Sequence, residues 1–138
     1  MNESRLRRYK GKITVIEKRQ GNIFSWISDE DEKTVLAVYK AFQEMIESFT
    51  DICAMLLKDM GEIVEDDYSN IGRLSELEVF DNDQELTLKE ADGLRNRLIH
   101  EYNGLERKTA LRSIQQINEL VEDIIKDVRI WIKKISKQ

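Results

Sequence analysis

Hydrophobic residues recur every three or four positions along most of the chain, which is the spacing of one face of an α-helix. The longest regular run comprises Val35, Tyr39, Phe42, Ile46, Phe49, Cys53, Leu56 and Met60. Leu36, Met45 and Ile52 widen this stripe, so the helix should be buried on more than a narrow seam. Ser28 and the acids at 29–32 favour its start, and Gly61 favours its end. The pattern predicts a long helix over about 31–61.

A second long stripe predicts a helix from about residue 107 to the last turn of the chain. Its members are Leu111, Ile114, Val121, Ile125, Val128, Ile132 and Ile135. Asn118 is a polar position within this stripe, and an isolated Asn there often fixes the register between neighbouring helices.

Shorter apolar patterns predict the remaining helices. An N-terminal helix should end or bend near Gln20-Gly21-Asn22, after which Ile23, Phe24, Trp26 and Ile27 should cover the core. Two further helices are expected over about 68–80 and 84–102, with 62–67 as an acidic loop and 81–83 as a break. No strand pattern or internal repeat is evident. The predicted fold is an all-α, up-and-down bundle of four to five helices, formed by one domain over 1–138.

Composition supports this fold and narrows the possible chemistry. The 138 residues include no proline, which favours long uninterrupted helices. A single cysteine excludes an intramolecular disulfide framework and a Cys-x-x-Cys site, and Cys53 is predicted to be a core residue. One histidine excludes a His-rich metal cage, so neither a metal nor a cofactor is expected. Without a secretory h-region or an apolar run near eighteen residues, we expect a cytoplasmic protein with no membrane partner.

Charge is unevenly distributed along the chain. Residues 1–20 carry +5 and 108–138 carry +3, whereas 21–67 carry −9 and 68–107 carry −4, for a net charge of −5. The acidic total disfavours nonspecific adhesion to nucleic acid, although the two basic ends could form a local binding surface if the fold brings them together. The alternative is that these charges, including a basic stripe of Arg5, Arg8, Lys12 and Arg19, are solvated helix faces.

One segment, 93–104, concentrates the polar chemistry. It contains Arg95, Asn96, Arg97, the only histidine (His100) and Tyr102, and it stops at Asn-Gly, a helix-ending signal. On an ideal helix Arg95 and His100 lie about 140° apart. Either the helix must loosen at His100, or a second copy across a two-fold axis must complete the pair.

Arginine and histidine together suit metal-independent RNA cleavage. Histidine can move a proton to or from the ribose 2′-hydroxyl or the leaving oxygen, while arginine stabilises charge on the phosphate. DNA lacks the 2′-hydroxyl and should resist this route. The alternative interpretation is that His100 is a surface or interface residue and that Arg97 only pairs with Glu101 one turn later.

The segment Arg95-Asn96-Arg97-Leu98-Ile99-His100-Glu101-Tyr102 resembles the R-N-R-L-x-H-x-Y signature of HEPN domains. Among these, the chain is most similar to the HepT-like toxins of the MNT–HEPN toxin–antitoxin modules. The basic first helix, the long second helix and the amphipathic last helix extend the resemblance over nearly the whole chain.

The resemblance implies a homodimeric bundle in which two Arg-x4-His motifs form one ribonuclease site. Arg95 and His100 would then be the catalytic pair, with Asn96 and Arg97 as supporting residues. Tyr102 matches the position to which, in this family, a partner nucleotidyltransferase antitoxin transfers AMP, which silences the toxin. Two alternatives remain: a non-catalytic HEPN subunit that binds a nucleotide or a partner, and a helical interaction protein in which His100 and Tyr102 are ordinary interface residues.

Overall fold

Five α-helices are present among residues 1–100 and 105–137, which are the residues that the computed structural model describes. They are α1 (Glu3–Trp26), α2 (Glu32–Asp59), α3 (Asp67–Glu76), α4 (Asn82–His100) and α5 (Arg107–Ser136). No strand occurs in these residues. The predicted all-α, up-and-down bundle is confirmed.

Helices α1, α2, α4 and α5 form the bundle, and each runs antiparallel to its neighbours. Helix α1 packs on α2 and α5, α4 packs on the same two helices without contacting α1, and the short α3 lies against α2 and α4. Their apolar faces meet in a core whose largest fully buried side chains include Tyr9, Phe42 and Phe49. An open groove remains on the surface between α2 and α4.

Helix α2 follows the predicted stripe closely. Its N-cap is Asp31 rather than Ser28, since the Asp31 carboxylate accepts the Thr34 N–H at 3.2 Å. Gly61 ends α2 as predicted. Its N–H donates to the Lys58 carbonyl, and its φ of 78° turns the chain so that the Glu62 N–H reaches the Leu57 carbonyl. Cys53 is buried, as predicted, and burial raises its thiol pKa. Leu36 does not widen the buried face, because its side chain is half exposed.

The predicted end of α1 near Gly21 is wrong. The helix continues without interruption to Trp26, with Gly21 inside it. A helical glycine costs only about 1 kcal/mol, and burial of Ile23 beyond it offsets that cost. Because the helix continues, Phe24 points outward and is 81% exposed instead of covering the core, whereas Trp26 is 37% exposed.

The basic stripe on α1 is mostly not a free solvated face. Three of its four cations form ion pairs with acids of α2: Arg5–Asp59 at 2.9 Å, Lys12–Asp51 at 2.6 Å and Arg19–Glu44 at 3.0 Å. Within the described residues Arg8 makes no such pair. The stripe therefore joins α1 to α2.

The two basic ends of the chain do come together. Asn2 and Arg5 at the start of α1 and Ile135 at the end of α5 line the same surface pocket. Asn118 joins the same two helices further along: its Nδ2 donates to the Gln20 carbonyl, and the Gln20 amide donates back to the Asn118 carbonyl. These hydrogen bonds join α5 to α1, and the register-fixing role of Asn118 stays a prediction.

Helix boundaries near the site differ modestly from the predictions. Helix α3 ends at Glu76 rather than near Phe80, because Glu78 adopts φ of 67° and turns the chain, while Phe80 is buried after the turn. Helix α4 begins at Asn82, inside the predicted 81–83 break, and α5 spans the predicted range. No described helix combines the length and the apolar content needed to cross a membrane.

Candidate active site

The start of α4 is fixed by reciprocal hydrogen bonds between side chains and backbone. Asp81 accepts the Gln84 N–H at 2.7 Å, and the Gln84 side chain accepts the Asp81 N–H at 3.0 Å. The Gln84 amide also donates to Asp127 of α5 at 2.7 Å. Leu88, Leu94 and Leu98 face the core. This packing sets the rotation of α4 and directs Arg95 toward α2 and α3.

Arg95 is largely buried, with 11% of its side chain exposed, and lies between three helices. Its Nη2 donates to Asp92 of α4 at 2.8 Å and to Asp67 of α3 at 2.9 Å. Its Nη1 donates to the Thr50 hydroxyl of α2 at 3.2 Å. Thr50 in turn donates to the Glu47 carbonyl at 3.0 Å, which leaves a lone pair of its oxygen toward Arg95.

The two carboxylates differ in their surroundings. The Asp92 side chain is only 7% exposed, whereas that of Asp67 is 41% exposed. Burial raises the pKa of Asp92, and this outweighs the opposing effect of the Arg95 guanidinium, while the charge of Asp67 raises it further. Asp92 therefore depends on Arg95 for its stability as a buried anion.

Arg95 borders an open groove between α2 and α4 of about 420 Å³. The other residues that line this groove include Asn96, Ile99, Lys40, Thr50 and Asp67, but Asp92 does not line it. A more apolar groove of about 360 Å³ continues from it along α2, lined by Leu36, Tyr39 and Leu98. Leu36 and Ile99 expose about half of their side chains here, so this surface offers both a charged and an apolar part.

The predicted site residues separate into two groups. Arg95 and Asn96 reach the groove, whereas Arg97 and His100 are exposed outside its lining. The α-helix extends to His100, the last residue described in this segment, so the helix is regular from Arg95 to His100. On a regular helix five residues correspond to about 7.5 Å of rise and about 140° of rotation. One chain therefore does not bring Arg95 and His100 together.

Tyr102 and Glu101 lie outside the described residues, so the predicted modification site and the Arg97–Glu101 pair have no structural account. The guanidinium of Arg97 lies close to Gly93, 3.6 Å from where a β-carbon would stand. Among the described residues no group of three or more His, Cys, Asp or Glu side chains has an arrangement that could hold a metal ion.

The sequence interpretation missed Thr50, Asp67 and Asp92. Asp92 could have been found, because it precedes Arg95 by three positions and so lies on the same helix face. Thr50 and Asp67 are 45 and 28 residues away in sequence, and only the tertiary fold brings them to Arg95.

Comparison with known proteins gives a consistent result. The profile of the family described as "Ribonuclease HepT-like" matches residues 10–128. A protein of Archaeoglobus fulgidus named "Putative RNase" is 38% identical over 135 residues, covering 96% of this chain and 98% of its own. A second protein of that name from the same organism is 38% identical over 125 residues, covering 91% and 94%. A "Putative RNase" of Methanocaldococcus jannaschii is 35% identical over 78 residues, covering 56% and 90%.

Proposed function

Because the chain belongs to the HepT-like ribonuclease family, we propose that it is a metal-independent endoribonuclease whose site is completed by a second copy of the chain. The observation that carries this proposal is the separation of Arg95 from His100 on one regular helix. A two-fold axis near the end of α4 would place the His100 of one subunit beside the Arg95 of the other. Asn96, which lines the same groove, would support the bound phosphate.

The surface beside Arg95 also suits a homodimer. Leu36 and Ile99 are half exposed, and both line the apolar groove that continues from the Arg95 groove. Burying this surface against its copy would remove apolar area from water and exclude solvent from the phosphate site.

In the proposed reaction, His100 moves the proton. The 2′-oxygen attacks the phosphorus and the bond from phosphorus to the 5′-oxygen breaks, which leaves a 2′,3′-cyclic phosphate and a 5′-hydroxyl. The proton lost by the 2′-hydroxyl is balanced by the proton gained by the 5′-oxygen, and His100 carries one of these two transfers. Arg95 donates hydrogen bonds to the phosphate as negative charge grows. The step needs a 2′-hydroxyl, so RNA is cleaved and DNA of the same sequence is not.

Cleavage of end-labelled single-stranded RNA in the presence of EDTA tests this function. Wild-type protein should cleave the RNA, while Arg95→Ala and His100→Ala should each lose at least about 100-fold in rate. Arg7→Ala is the matched control, since Arg7 is an exposed cation on α1, a helix that does not contact α4. Activity that survives both site substitutions would refute the assignment.

We further propose that the protein is the toxin of a toxin–antitoxin module, silenced when a nucleotidyltransferase antitoxin transfers AMP to Tyr102. Support comes from the position of Tyr102 two residues beyond His100 in the family signature. An added phosphate there would bring negative charge beside the group that binds RNA. Incubation with ATP, Mg²⁺ and a nucleotidyltransferase encoded beside the gene should raise the mass by one AMP in wild type but not in Tyr102→Phe. Equal labelling of both proteins would contradict the assignment.

A non-catalytic subunit that binds a nucleotide or a partner is the second candidate. It is favoured by one observation: Arg95 is already paired with two carboxylates, as expected of a guanidinium that holds α3 and α4 together rather than one that acts in catalysis. This candidate predicts RNA or nucleotide binding without cleavage by unmodified protein, whose mass shows no adduct.

A further inference from the structure

Arg95 holds two carboxylates on one terminal nitrogen and leaves another nitrogen unsatisfied. Asp67 and Asp92 both accept from Nη2, at 2.9 and 2.8 Å. Nε, in contrast, is buried and has no hydrogen-bond partner within the described part of the chain. A buried donor without an acceptor is costly and uncommon in folded proteins. Nη2 of Arg95 thus donates to two carboxylates, whereas Nε has no acceptor within the described part of the chain.

Nε and Nη2 share the edge of an arginine that binds oxyanions through two parallel hydrogen bonds. A phosphate on this edge would give Nε its acceptor, but both carboxylates already accept from Nη2. Nη2 has only two hydrogens, so it cannot also donate to a phosphate while Asp67 and Asp92 both stay in place. A phosphate can therefore bind side-on only if a carboxylate leaves.

The structure distinguishes which carboxylate can leave. Asp67 lines the open groove together with Arg95, whereas Asp92 does not reach it. Asp67 is partly exposed and is the first residue of α3, where the positive end of the helix favours a carboxylate without help from Arg95. Asp92 is buried on the same helix as Arg95 and would lose its only described cation.

From this difference we propose that Asp92 anchors Arg95, and that Asp67 is a displaceable ligand which the RNA phosphate replaces on the Nε–Nη2 edge. Asp67 and Asp92 are then positioning residues of the site. Exchange of one anion for another leaves the charge around Arg95 balanced in the free and bound states. The proposal deepens the ribonuclease function and rests on it for the identity of the phosphate.

Asp67→Asn tests the displaceable position. Removing the competing anion should lower the KM for single-stranded RNA about 3- to 5-fold, the range expected for a partly exposed ion pair, and the change should appear in KM rather than in kcat. Asp67→Glu keeps a carboxylate and should return KM toward the wild-type value. Asp92→Asn should instead lower kcat about 10-fold, because loosening a positioned catalytic group costs rate rather than affinity.

Glu47→Gln is the matched control. Glu47 lines the same groove, and Glu47→Gln removes one negative charge, as Asp67→Asn does. Glu47 makes no ion pair with any described residue. The KM of Glu47→Gln should fall by less than that of Asp67→Asn, because Glu47 makes no ion pair with Arg95 and acts on a bound phosphate only through the screened charge of the groove. If Glu47→Gln and Asp67→Asn lower KM equally, general groove charge explains the effect and the exchange is refuted.

Binding of fluorescent RNA, measured by anisotropy in EDTA, separates this proposal from the ribonuclease function. In a His100→Ala background the RNA stays intact, and Asp67→Asn should tighten the Kd by the same 3- to 5-fold. If wild type does not cleave but this tightening appears, the nuclease proposal fails and the exchange stands. If wild type cleaves but Asp67→Asn leaves both KM and Kd unchanged, the exchange fails and the nuclease stands.

Discussion

Replacing Arg95 by alanine removes the cation on which a buried carboxylate depends. Asp92, 7% exposed, loses the Nη2 hydrogen bond at 2.8 Å and keeps the repulsion of Asp67. Breaking a fully buried ion pair costs about 3–5 kcal/mol. We expect about 2 kcal/mol here, because the Asp67 side of the cluster is open to water. The free energy of unfolding at pH 7 should fall by that amount.

The loss should depend on pH in a defined direction. The folded-state pKa of Asp92 is already raised by burial, and loss of Arg95 raises it further. A carboxyl with a raised folded pKa destabilises the fold when it is ionised, and this penalty disappears as pH falls toward the ordinary aspartate value of about 4. The destabilisation of Arg95→Ala should therefore shrink between pH 7 and pH 5.

Urea unfolding of wild type, Arg95→Ala and Arg95→Ala/Asp92→Ala at both pH values measures this effect. The double variant should recover most of the lost stability at pH 7, because no buried charge is left unpaired, yet it should remain inactive on RNA. Equal destabilisation at pH 7 and pH 5, or no recovery in the double variant, would refute the reasoning.

Three further outcomes test the fold around the site. Tyr9→Phe should cost about 1–2 kcal/mol of unfolding free energy in urea, because the fully buried Tyr9 hydroxyl donates to Asp59 at 2.6 Å; an unchanged midpoint would contradict this. Gly61→Ala should cost about 1 kcal/mol by the same assay, because φ of 78° at Gly61 disfavours a β-carbon; a stabilised variant would argue against the left-handed turn. Cys53 should react with a thiol reagent only as the protein unfolds, because it is buried and its pKa is raised; rapid labelling of native protein would contradict its core position.

The sequence carried most of the information about the long helices. The apolar stripes of α2 and α5 predict which face of each helix is buried. Burial of many regularly spaced apolar side chains outweighs the helix propensities of single residues. Helix ends were less predictable. Gly21 suggested the end of α1, yet α1 continues because Ile23 is buried beyond it. Helix α3 ends at Glu76, shortly before Glu78 adopts a left-handed conformation that no glycine in the sequence signals.

The candidate site was predictable only in part, for a physical reason. The signature predicts Arg95, Asn96 and His100 as site residues, since they lie on one helix and their spacing is visible in the chain. The ligands of Arg95 from α2 and α3 could not be located in this way. Thr50 and Asp67 reach it only through tertiary packing.

Subunit complementation tests the central claim, a ribonuclease site shared between two chains, most directly. Arg95→Ala and His100→Ala chains carrying different tags are co-expressed, and the mixed dimer is purified through both tags. If Arg95 of one chain works with His100 of the other, one of two pairs is intact, and the mixed dimer should recover about half of wild-type cleavage. A mixed dimer as inactive as either variant alone, or a wild-type protein that sediments as a monomer while cleaving RNA, would contradict the account.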